Sequence, residues 1–165
     1  MVILGIDPGS VIAGFGTIKT ENRKTRLIDC GCIRTHAKLP FAQRLQKIYA
    51  ELTEVLARIR PDEVAVEDVF YSKNVKSALK IGHARGVILL AAADAGLPIA
   101  EYSPREVKQA VVGSGSASKE QVQFMVKHIL ALKETPQTYD ATDALAVALC
   151  HAHRIKMDAM MKKEK

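Results

Sequence analysis

VILGIDPGS (residues 2–10) decides the fold. Val2, Ile3, Leu4 and Ile6 form an apolar run too continuous for a strand with one wet face, so the run reads as a strand buried on both sides. It ends in a carboxylate, Asp7, and the Pro8-Gly9 dipeptide turns the chain at once. A core strand that delivers an acid from its end needs a reason beyond packing.

Outward from this strand, AGFGTIKT (13–20) and TRLIDCGCIRT (25–35) read as two more strands joined by the polar turn ENRK, an antiparallel meander. From Phe41 to Arg60, Leu45, Ile48, Leu52, Val55, Leu56 and Ile59 recur every three or four residues, which predicts an amphipathic helix stopped by Pro61. The β-branched EVAVED (63–68) is then a fourth strand, reached by a helical crossover and so expected to run parallel to the first. VKSALKIGHARGVILLAAADAGLP (75–98) predicts a second helix whose later half, Val87–Ala93, is apolar all round and expected to be covered on more than one side. Gly82 and Gly86 cost helix stability and suit either a close contact within the chain or a seam between two copies. PIAEY (98–102) is a fifth strand. Ser103, Pro104 and Glu106 start one short helix with a capping box, and Ser118 with Gln121 starts another. VGSGSAS (112–118) between them is expected to be flexible. A last helix is expected over Thr138–Arg154, with KMDAMMKKEK (156–165) fraying. The sum is a mixed α/β sheet with helices on both faces, one domain over 1–155 and a basic flexible tail over 156–165. Ligands in such sheets collect at the strand ends.

The chain has 165 residues, enough to bury about 70% of its unfolded surface in one core. Its three cysteines (Cys30, Cys32, Cys150) are odd in number and include no C-x-x-C pair, which argues against zinc or a disulfide framework and points to a reducing, cytoplasmic setting. No leader-like start or membrane-length apolar run is present in the sequence. The net charge of +6 and a pI near 9.3 suit a polyanionic partner.

Four acids need joint explanation. Asp7 and Glu67 end the first and fourth strands; if these are parallel neighbours, both carboxylates leave the same sheet edge. Asp140 and Asp143 in YDATDAL are three apart, on one face of the last helix. Singly, each has an ordinary role: a turn residue, a solvated strand end, a helix N-terminal acid. Together they conflict, since two like charges at roughly 4 Å repel by about 4 kcal/mol at an effective dielectric near 20. Such a cluster takes up protons or cations, and all-oxygen ligation selects Mg²⁺ or Mn²⁺. Two-metal phosphoryl transfer is the chemistry that uses it. Gly9, Ser10, Gly14 and Gly16 are expected to leave room there for a nucleic-acid backbone.

ILGIDPGS, GCIRT, VAVEDVFYSKNVKSALKIGHARGV, VKQAVVGSGSASKEQV and DATDALAVALCHAH resemble, in order and spacing, the RuvC family of bacterial Holliday junction resolvases, up to about Arg154. The resemblance implies an RNase H-like five-stranded sheet and a cytoplasmic homodimer. It also implies Mg²⁺-dependent nicking of two opposed strands at a four-way DNA junction, with two ions per site, Mn²⁺ as a substitute and a RuvA-RuvB branch-migration complex as partner. The family's catalytic and metal-binding acids fall on Asp7, Glu67, Asp140 and Asp143. Its base-unstacking aromatic falls on Phe70, and its DNA-facing lysines on Lys108 and Lys119, the latter also at the reacting phosphate.

A lysine at Lys119 opposes its helix dipole, which a bound phosphate would explain; a solvated surface lysine is the plain alternative, as it is for Lys108. Phe70 could equally be a core aromatic. Lys73, Lys76, Lys80 and Arg85 are expected to face phosphates. Thr142 departs from the smaller residue common between the last two acids. His151 and His153 point different ways on a helix and, with His36, His83 and His128, are read as packing or solvent residues.

Three alternatives are open to simple tests. A YqgF-type nuclease shares the opening strand but not SALKIGHARGV. An actin-like ATPase needs two such domains. A non-catalytic junction binder has no use for four acids that repel DNA.

Overall fold

The computed structural model describes residues 1–22, 24–68, 74–136 and 138–162. The expected meander is present: β1 (Val2–Asp7) pairs antiparallel with β2 (Ile12–Glu21), and β2 with β3 (Lys24–Arg34). β4 (Glu63–Glu67) lies parallel to β1 on its other side, and β5 (Ile99–Tyr102) parallel to β4, giving the order β3-β2-β1-β4-β5. This is the RNase H-like arrangement with helices on both faces.

The two-residue period of the strands divides the core. Leu4, Ile6, Val64 and Val66 face α1 (Phe41–Ile59) and α2 (Val75–Asp94), while Ile3, Ile18 and Ala65 face α5 (Tyr139–Met161). Helices α3 (Pro104–Val112) and α4 (Lys119–Ile129) cover the outer side of α5 through Val107, Val111, Val122 and Val126. Sandwiched between sheet and helices, α5 is buried all round from Ala144 to His151. The capping boxes at Ser103/Glu106 and Ser118/Gln121 are both formed.

One expectation changes. The space over Gly14 and Gly16 is taken by protein rather than left for DNA. A Cβ at Gly14 would stand 2.0 Å from the Asp140 carbonyl oxygen, and one at Gly16 would stand 2.7 Å from the Leu145 nitrogen. The strand glycines therefore form a floor on which α5 sits backbone to backbone. α5 runs through Met161, and neither Gly nor Pro follows Arg154 to stop it. Over Val87–Ala93, Ile88, Ala91 and Ala92 are buried while Leu90 is 53% exposed; on the earlier turns of α2, Val75 and Leu79 are 63% and 57% exposed, and among the described residues nothing lies within 4 Å of a Cβ at Gly82 or Gly86.

Because the Gly14 contact is to backbone, which cannot rotate away, Gly14→Ala is expected to cost about 1–3 kcal/mol and to lower Tm by several degrees in a thermal melt. An unchanged Tm would show that α5 does not depend on this seat.

Candidate active site

Asp7 and Glu67 share the face of the sheet that carries Ile3 and Ala65, so both point toward α5. Ile6 is the register partner of Val66, and the next residue of each strand is the acid. The two carboxyls leave neighbouring parallel strands side by side and are in hydrogen-bond contact. The third contribution follows from the glycine floor: Asp140 rests over Gly14, which is itself the register partner of Asp7. Asp143 follows one turn along α5. Thr138, not an aspartate, caps this helix, its side chain accepting from the Ala141 amide at 3.4 Å. Capping therefore does not account for Asp140 and Asp143.

The charges of the other three acids bear on Asp7. Burial, then the charges of Glu67, Asp143 and Asp140, push Asp7 up to about 8. Burial and Asp143 push Glu67 up to about 7, and burial raises Asp143 as well. The folded chain thus retains protons that the unfolded chain gives up near the ordinary values of 3.8 and 4.5. Without cations, this contribution to stability is full below those values and is lost as pH rises through about 7 and 8. Lys119 offsets part of the conflict: its Nζ donates to Asp143 Oδ2 at 3.3 Å, and Asp143 holds its ammonium above the usual lysine range. Lys108 is near enough for its charge to favour ionised Glu67 and Asp143. Among the described residues, no three His, Cys, Asp or Glu side chains close around one common point as they stand. Asp7 and Glu67 face each other and Asp143 faces Lys119, the pairing expected of carboxyls that share protons. All four donors are carboxylate oxygens, which suits a hard divalent cation.

Other residues fix these positions. The loop after Asp7 is held by Arg44 of α1, which donates from Nε to the Ser10 carbonyl and from Nη2 to Ser10 Oγ, both at 2.9 Å, while Thr35 Oγ1 donates to the same carbonyl at 3.1 Å. Ser10 is thus held by protein contacts through both its carbonyl and its hydroxyl. Sequence reasoning missed Arg44, although it falls four residues before Ile48 on the buried stripe of α1. The Gly-Ser loop expected to be flexible is pinned by Gln109, whose amide donates to the Gly113 carbonyl at 2.9 Å and accepts from the Gly115 nitrogen at 3.1 Å. This steadies the approach to Lys119.

Arg85 differs from expectation: it pairs with Asp68 at 3.3 Å and with Glu101, so its guanidinium already has carboxylate partners. Lys76 and Lys80 are exposed on the first turns of α2. Phe70 and Lys73 lie outside the described residues. Thr142 is buried and donates to the Thr138 carbonyl at 3.2 Å. His151 is a packing residue, bonded to Tyr102 Oη at 2.7 Å and Glu63 Oε2 at 2.8 Å; His153 contacts the Ala110 carbonyl at 3.1 Å.

Known proteins share the sequence and the fold of this chain. The profile of the family described as "Crossover junction endodeoxyribonuclease RuvC" matches residues 3–151. A crossover junction endodeoxyribonuclease RuvC of Pelotomaculum thermopropionicum is 52% identical over 162 residues, covering 98% of this chain and 99% of that protein. One from Moorella thermoacetica is 55% identical over 152 residues, covering 92% and 91%. Among solved structures, Thermus thermophilus RuvC in complex with Holliday junction substrate superposes with a TM-score of 0.90 at 43% identity, covering 96% of each chain. With a matching sequence over nearly its whole length and a matching fold, this chain belongs to the RuvC family of crossover junction endodeoxyribonucleases.

Proposed function

We propose that this chain is a structure-selective endonuclease that resolves four-way DNA junctions in recombination and repair by nicking two opposed strands. The observation that carries this reading is the meeting of Asp7, Glu67, Asp140 and Asp143 at one sheet edge of a chain with net charge +6. Four carboxylates repel a phosphate backbone unless cations stand between them. The Thermus relative in complex with a Holliday junction substrate supports the choice of substrate.

The four acids are the ligands for two Mg²⁺ ions, with Mn²⁺ able to replace them. When bound, the ions supply a deprotonated water for attack and counter-charge for the leaving oxygen. Asp7, between Glu67 and the α5 acids, would help hold the cations. Lys119, kept charged by Asp143, neutralises charge gathering on the phosphate oxygens. Lys108 holds the scissile strand, and Lys73, Lys76 and Lys80 hold phosphates around the segment from which Phe70 unstacks bases. Arg85 is not included, being engaged by Asp68 and Glu101.

Two symmetric nicks call for two sites, and the open stripe Val75, Leu79, Gly82, Gly86 and Leu90 on α2 is the surface on which two copies meet in a homodimer. No helix among the described residues is long and apolar enough to cross a membrane. We place the dimer in the cytoplasm, with the RuvA-RuvB branch-migration complex as its partner.

On an end-labelled four-way junction with Mg²⁺, paired nicks are expected in opposed strands, with no cutting of a linear duplex or an RNA stem-loop. Asp7→Asn is expected to lose more than about 100-fold in rate, since losses of supporting groups alone reach about 10–100-fold, while junction binding persists. Cutting of RNA, or loss of binding together with cutting, would overturn the assignment. Leu79→Glu is expected to weaken the dimer by about a hundredfold or more, because each buried leucine contributes about 1.5–3 kcal/mol and a twofold axis counts it twice. Sedimentation would then show the 18.0 kDa monomer, and nicks would appear singly; a Leu79→Glu protein that stays dimeric would place the seam elsewhere.

A further inference from the structure

Consecutive residues of a strand point to opposite faces. Glu67 faces α5, so Asp68 turns to the α2 side, the side of Val64 and Val66. Glu101, the register partner of Val66 on β5, shares that side. Arg85 of α2 meets both carboxylates through one nitrogen, Nη2, which lies 3.3 Å from Asp68 Oδ1 and also bonds Glu101 Oε2. Its side chain is 20% exposed, while those of Asp68 and Glu101 are half exposed. Its Nε is buried and makes no hydrogen bond among the described residues. The head is therefore turned inward against the sheet. The Asp68 amide also donates to the Tyr102 carbonyl at 2.7 Å, carrying the β4–β5 ladder one residue past Glu67.

We infer that Arg85 is a positioning residue for the reaction: through Asp68 and Glu101 it fixes the end of β4, so that Glu67 keeps its place beside Asp7. The same bonds tie that strand end to α2, the helix that carries the open apolar stripe, so the site and the surface proposed for dimerisation are braced by one side chain. A charge with two protein carboxylates at hand has little left for a DNA phosphate, and its direct effect on Glu67 is through the backbone of the adjacent residue. This rests on the reading of Glu67 as a metal ligand.

Arg85→Gln removes the charge and keeps most of the side-chain volume; Glu101→Gln removes one partner and carries the same test if the first variant does not fold. Three quantities decide: the Mg²⁺ concentration at half-maximal thermal stabilisation, the single-turnover junction cleavage rate, and junction affinity as a function of salt. The expected result is a Mg²⁺ midpoint raised about tenfold or more and cleavage slowed by about 10–100-fold, with junction affinity and its salt slope as in wild type. The double variant is expected to lose little beyond Arg85→Gln alone, as for residues acting through one contact. A salt slope reduced by about one with weaker junction binding and an unchanged Mg²⁺ midpoint would make Arg85 a phosphate contact and overturn the inference. A lower Tm with unchanged Mg²⁺ midpoint and rate would reduce it to a structural strut and also overturn it. The Mg²⁺ midpoint is read without DNA, so it decides for Arg85 even where wild-type protein fails to cut junctions.

Discussion

The distance between the backbone of α5 and that of β2 governs what the mouth of the sheet can do. Side chains on β2 at positions 14 and 16 would collide with the α5 backbone and hold the helix off, and Asp140 and Asp143 would then stand away from Asp7. With glycines there, the Asp140 carbonyl and the Leu145 amide settle onto the strand itself. The helix must then be apolar on all sides, because its other faces are roofed by α3 and α4. The long buried run from Ala144 to His151 is a consequence of that seat.

What the close seat brings together is unfavourable in isolation. Asp7 and Glu67 emerge from adjacent parallel strands, and the α5 acids come in above them. Burial and mutual repulsion hold protons on groups that would be ionised in water. Among the described residues, Lys119 is bonded to the cluster, and the charge of Lys108 acts on it from nearby. The surrounding structure supplies the compensation: Arg44 and Thr35 fasten the turn after Asp7, Thr138 caps α5, Gln109 pins the loop before Lys119, and Arg85 grips the strand end behind Glu67. These contacts stabilise a site whose own charges do not.

The strands, the parallel crossover and the acids at the strand ends were legible in the sequence because each follows from a local pattern: continuous apolar runs, a period of two, a capping box. Glycine in a strand signals a close approach but not what approaches, so Gly14 and Gly16 were assigned to DNA when α5 occupies them. Charge on a helix likewise does not say which way it faces. From sequence alone Arg85 reads as a phosphate contact, because its carboxylate partners lie on other elements, one of them behind a strand end. Arg44 could have been found, since it continues the buried stripe of α1. The open side of α2 was invisible to composition, for an apolar run looks the same whether the chain covers it or a second copy does.

Burial and the neighbouring carboxylates keep protons on Asp7 and Glu67 near neutral pH, and bound divalent cations would displace them. Isothermal calorimetry of Mg²⁺ binding near pH 7, repeated in buffers of different ionisation enthalpy, counts the protons set free. A release of about one proton or more per site is expected, reduced in the Asp7→Asn protein. Heat that is the same in every buffer would mean that the acids are already ionised, and would contradict it.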